Sequence, residues 1–129
     1  MASPKTSLRT PLARVRGLGA AKTGTGHFIA LRTLAVALVP LGLWFLWAVI
    51  AHAGAPYAEV AAFLAHPVNA GLMLLFVVTT LWHFRLGFEE VILDYVTHDG
   101  LKVAALLANT FFTAILAVAS IFAILKLAL

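Results

Sequence analysis

Apolar positions along this chain gather into three long runs, roughly residues 28–53, 67–88 and 101–128, divided by short polar connections. Each run reaches the ~20 residues that an α-helix needs to cross ~30 Å of hydrocarbon. The pattern predicts an all-α integral membrane protein, with a tail over residues 1–27 and a three-helix transmembrane anchor over 28–129. Composition supports this. The 129 residues are 63% hydrophobic and 11% charged, where a soluble domain carries about 25% charged residues.

Charge distribution orients the spans. Lys5, Arg9, Arg14, Arg16 and Lys22 precede the first span, and Arg32 stands at its start. The first loop, about His52 to His66, has no lysine or arginine and contains Glu59. Arg85 and Lys102 border the second connection, and Lys126 alone marks the far end of the third span. The positive-inside rule places the N-terminus and the second connection in the cytoplasm and the C-terminus on the opposite side. The tail is basic and free of acid, but it lacks the apolar stretch of a secretory signal. Its composition suits an organellar transit peptide; because the chain begins at Met1, the tail is taken as retained. Gly17, Gly19, Gly24 and Gly26 argue against one long helix there. Two accounts of the tail stand: attraction to anionic headgroups, or contact with a cytoplasmic partner protein.

The absence of cysteine excludes disulfides, zinc-thiolate sites, iron–sulfur ligation by this chain and c-type haem attachment. Any redox cofactor would be held by histidine or belong to a neighbouring protein. There is no phosphate loop, nucleophile elbow or basic-aromatic surface for nucleic acid.

Candidate chemistry lies where the second span ends, in His83–Val96, HFRLGFEEVILDYV. Histidine and arginine are costly at membrane depth and are rarely there without a partner. If this segment stays helical, His83, Gly87, Glu90 and Asp94 share one face, with ~16 Å from first to last. Gly87, one turn from His83, would leave room for a flat macrocycle ligated by the imidazole. A histidine hydrogen-bonded to a neighbouring helix, beside a close-packing glycine, remains the alternative. Arg32 could snorkel to headgroups or clamp a buried carboxylate. Asp94 could be a solvated carboxylate, and Glu89 and Glu90 read as solvated charges. His27, His52, His66 and His98 have no helical i, i+4 pairing that would make a metal site within this chain. Pro40 marks a kink in the first span, and the alanine-rich third span reads as scaffold.

The run His-x3-Gly-x6-Asp-Tyr-Val, here His83, Gly87, Asp94, Tyr95 and Val96, resembles the small hydrophobic membrane anchor of bacterial succinate dehydrogenase, respiratory complex II. The tail RVRGLGAAKTGTGHF followed by Arg32 is similar to alphaproteobacterial members, and three spans also fit. The resemblance implies that His83 is an axial ligand of haem b, the second ligand coming from a partner anchor of the cytochrome b556 type. It implies that Arg32 lies near the haem propionates, and that Asp94 and Tyr95 lie at the ubiquinone site, the tyrosine hydroxyl bonding a quinone carbonyl. FAD and iron–sulfur clusters would reside in a flavoprotein subunit and an iron–sulfur subunit, and the whole would sit in the bacterial inner membrane. The position five before the arginine is acidic in some relatives and is His27 here. Two rival readings remain: a quinol:fumarate reductase anchor of the same architecture, and a small transport or structural membrane protein without haem. Against a transporter, every acid is placed in a loop or at the interface.

Overall fold

The computed structural model describes residues 8–17, 19 and 24–129. Five helices follow in order: α1 Pro11–Val15, α2 Thr25–Ala51, α3 Tyr57–Ala65, α4 Pro67–Tyr95 and α5 Asp99–Ala128. The described residues contain no strand. Helices α2, α4 and α5 are each long and apolar enough to cross a membrane, with mean hydropathies of 2.3, 1.5 and 2.3. At 27, 29 and 30 residues they rise ~40–45 Å, more than the hydrocarbon thickness.

Local chemistry sets the boundaries. In the tail, Thr10 caps α1 by accepting from Ala13 N at 3.2 Å, with Pro11 pre-set for the first helical position. That helix stops within five residues, and Gly17 follows with a φ of 75°, a left-handed geometry suited to glycine. Lys5 and Lys22 of the basic tail lie outside the described residues. Helix α2 runs unbroken through Pro40.

The connection expected between the first two spans is mostly helix. Tyr57–Ala65 forms α3, because YAEVAAFLA is rich in good helix formers and Glu59 complements the N-terminal dipole. It ends before Pro67, since the residue preceding proline avoids the α region. His66 then caps α4, its Nδ1 accepting from Val68 N at 3.3 Å. Asn69 donates back to Phe63 O at 3.0 Å, answering a carbonyl at the end of α3.

The second span also departs from its apolar run. Helix α4 continues past Phe88 to Tyr95, so His83, Gly87, Glu90 and Asp94 do share a helix. The turn into α5 is only Val96–His98, and His98 Nδ1 accepts from Leu101 N at 3.2 Å as its cap. Helices α2 and α5 flank α4 without their backbones approaching each other, while α3 lies across α4 and α5 at the end away from the tail. The spans therefore form an open layer with α4 in the middle.

On the α2 side, Phe45 stacks on Phe76 at 4.3 Å between centroids, and His27 reaches Glu90. On the α5 side, Asn109 donates to Arg85 O at 3.0 Å, and Phe84 meets Phe112. The core is thin: Ala48, Ala70, Leu86, Ile92 and Ile124, with Thr79, Asn109 and Thr113 as its polar members.

Candidate functional site

Phe76, His83 and Glu90 are spaced seven apart on α4, a repeat that drifts only ~20° per step around a helix. Phe76 and Glu90 both contact α2, so His83 between them lies along the α2–α4 seam, half-buried. Its Nδ1 is buried without a hydrogen-bond partner, and nothing within the described chain bonds to the ring. With no partner of its own and not buried, Nε2 is the nitrogen left accessible.

The other four histidines each have work inside the chain. His52 donates from Nδ1 to Ala48 O at 2.8 Å and packs its ring against Phe63, 4.3 Å between centroids. His66 and His98 cap α4 and α5. His27 Nε2 stands 3.3 Å from Glu90 Oε1, although no aligned hydrogen bond joins them. A hydrogen bond from His83 to a neighbouring helix, the alternative open at the sequence level, is not present within the described chain.

Gly87 lies one turn beyond His83, about 40° around α4. A side chain built there would meet nothing within 4 Å, so its smallness is not required by packing within this chain. Asp94 and Tyr95 form the last turn of α4 and are exposed, Tyr95 at 81%. Asp94 follows Glu90 by one turn on the same face.

Arg32 is placed differently. Five residues past His27, it lies ~140° around α2 from the side facing α4. It is exposed, with its guanidinium 5.2 Å from the centroid of its own helix's Phe28. The antiparallel pairing of His27 with Glu90 sets Arg32 level with Arg85, close to the depth of His83, but the chain does not bring the two into contact. A group touching both must extend around the edge of α2.

The His27–Glu90 pair is not legible from the sequence, where Glu90 reads as a solvated charge. Its signal is positional: His27 opens one span and Glu90 closes the next, so antiparallel packing sets them side by side. Arg85 Nε and Thr80 Oγ1 are also buried without partners, as is Asn109 Oδ1.

Comparison with known proteins completes the assignment. A family model described as the succinate dehydrogenase/fumarate reductase transmembrane subunit matches residues 6–125. The chain belongs to that family. It is 30% identical over 116 residues to a succinate dehydrogenase hydrophobic membrane anchor subunit of Rickettsia bellii, covering 90% of this chain and 93% of the relative. A protein of the same description from Rickettsia conorii is 23% identical over 117 residues, with the same two coverages. No solved structure gives a significant match. The family resemblance drawn from His83, Gly87, Asp94 and Tyr95 therefore holds, and with it a succinate dehydrogenase membrane anchor working within a membrane enzyme complex.

Proposed function

We propose that this chain is the anchor of a succinate:ubiquinone oxidoreductase, holding haem b jointly with a cytochrome b556-type partner anchor and completing the ubiquinone site. The observation that carries the reading is His83. It is the one histidine with neither a hydrogen bond nor an ion pair in the described chain, it lies in a span, and Gly87 beside it leaves open space. A buried polar group left unanswered costs about 1–3 kcal/mol, and a neutral imidazole is a proper axial ligand for haem iron.

These residues fit the group. His83 would ligate through Nε2, the second ligand coming from the partner anchor, while an acceptor for Nδ1 would also come from outside the chain. Such an acceptor fixes the tautomer and the ring orientation. Arg32, on the outward face of α2, would approach the propionates with forked donors suited to carboxylates. Haem would supply a one-electron redox centre within the membrane.

Asp94 and Tyr95 would serve the quinone. Reduction of ubiquinone takes two electrons and two protons, and negative charge grows on its carbonyl oxygens as electrons arrive. The exposed Tyr95 hydroxyl can donate to such an oxygen and stabilise it, and Asp94 beside it can orient the phenol or pass protons from water. Electrons would come from succinate through FAD and iron–sulfur clusters in the flavoprotein and iron–sulfur subunits. The basic N-terminal end of the layer would face the cytoplasm of a bacterium, with the spans in the inner membrane. Both Rickettsia relatives are described as succinate dehydrogenase anchors, which favours succinate oxidation over the fumarate-reducing direction.

Purification through a tag on this chain tests the reading. The expected result is co-purified FAD and iron–sulfur subunits, a low-spin b-type haem band and succinate-dependent ubiquinone reduction. A preparation containing neither flavin nor haem would sink it.

A further inference from the structure

The seam between α4 and α5 has two sides, and the one away from His83 carries an unanswered charge. Arg85 lies two residues past His83, about 160° around α4. Its Nε is buried without a hydrogen-bond partner. It heads a groove of about 350 Å³ that runs between Val78 and Trp82 of α4 and Thr113, Ala117 and Ile121 of α5. Asn109 bonds to the carbonyl of Arg85, so Arg85 is level with Asn109. The groove extends from there to Ile121, ~18 Å along α5.

Arg85 provides the charged donors of this groove. The Thr110 and Thr113 hydroxyls donate to Leu106 O and Asn109 O of their own helix, at 3.0 and 2.8 Å. One turn outward on the face of Arg85 stands Glu89, half-buried. The two do not pair with each other, and neither takes part in an ion pair within the described chain. From the membrane interior outward, the groove therefore offers apolar wall, then cation, then anion.

A phospholipid with an amine headgroup presents the complement in the same order: acyl chain, phosphate, ammonium. A guanidinium within a span needs an anion, and its planar fork matches phosphate oxygens. An ammonium is a compact donor suited to a carboxylate such as Glu89. We infer that the α4–α5 groove holds one zwitterionic aminophospholipid, its phosphate on Arg85 and its ammonium at Glu89. This face is turned away from His83 and Gly87, so a protein packed on them leaves the groove open to lipid. The inference does not depend on the haem and quinone assignments.

The test uses the purified complex, stripped of lipid and exposed to equal amounts of phosphatidylethanolamine and phosphatidylglycerol, with bound lipid counted by native mass spectrometry. Wild type should retain one phosphatidylethanolamine in preference to phosphatidylglycerol. Arg85→Gln should lose about tenfold or more in affinity for both, equivalent to about 1.4 kcal/mol. Glu89→Gln should shift the preference towards phosphatidylglycerol, because the ammonium loses its partner and an anionic headgroup loses a repulsion. Should Arg85→Gln fail to assemble, Ala117→Phe fills the groove without altering its charges and should expel the lipid. Equal retention in wild type and Ala117→Phe would overturn the inference. So would a wild-type preference for phosphatidylglycerol, or a headgroup preference unchanged by Glu89→Gln.

Discussion

An imidazole inside a membrane has two nitrogens to satisfy, and that requirement separates His83 from the other histidines. In sequence all five are single residues without helical pairing, and only the motif around His83 distinguishes one. The structure adds why the rest are different: two cap helices, one bonds back to its own helix, and one meets Glu90. Those roles depend on helix ends and on which helix packs beside which, and no single residue type encodes them. Gly87 offers a test at this scale. Gly87→Leu meets no obstacle within the chain, so helix content and assembly of the complex should persist, while haem content falls because the side chain occupies the space beside His83. Full haem occupancy in Gly87→Leu would show that the macrocycle does not lie there. Tyr95→Phe removes one hydroxyl from an exposed side chain. Losing a hydrogen bond to a group that becomes charged costs about 1.5–3 kcal/mol, or roughly 10- to 100-fold in the quinone-coupled step. Succinate oxidation with an acceptor that takes electrons before the quinone should be unchanged. Equal ubiquinone reduction by both proteins at limiting quinone would remove Tyr95 from the site.

At the level of elements, the three spans are legible in the sequence because length and hydropathy alone define them. Helix α3 is not. Its stretch is flanked by Pro56 and His66-Pro67, which read as loop punctuation, yet those residues serve as helix boundaries. The extension of α4 to Tyr95 escapes the apolar criterion because its last two turns carry Glu89, Glu90 and Asp94. Among the contacts that hold α4 between its neighbours, two differ in magnitude. The stacked Phe45–Phe76 pair contributes about 0.5–1.5 kcal/mol beyond its buried area. The bond from Asn109 to Arg85 O falls nearer the ~0.6 kcal/mol average for interhelical bonds in membranes. Phe45→Ala should therefore lower the temperature of haem loss from the purified complex more than Asn109→Ala does. The reverse order would mean that polar contacts dominate this layer.

For the molecule as a whole, the layer leaves most of its apolar surface to be covered from outside the chain. The backbones of α2 and α5 do not approach each other, no side chain among the described residues is fully buried, and the core is a handful of residues. Hydropathy along the chain could not show this openness, because it identifies spans without saying which faces pair. An open layer with unanswered polar atoms at Thr80, His83, Arg85 and Asn109 leaves groups for other helices, haem or lipid to satisfy. Expressed without its partner anchor, the chain should accumulate poorly and be cleared by proteases. Wild-type levels of a monodisperse single chain would contradict that expectation.

The visible spectrum of the purified complex carrying His83→Ala, compared with His52→Ala, tests the central assignment most directly. His52 is occupied within the chain at the opposite end of the layer, so its loss should leave a normal low-spin b-type spectrum. His83→Ala should shift that spectrum to a high-spin form or abolish it, with the flavoprotein and iron–sulfur subunits still attached. An unchanged low-spin spectrum in His83→Ala would show that another residue ligates the haem.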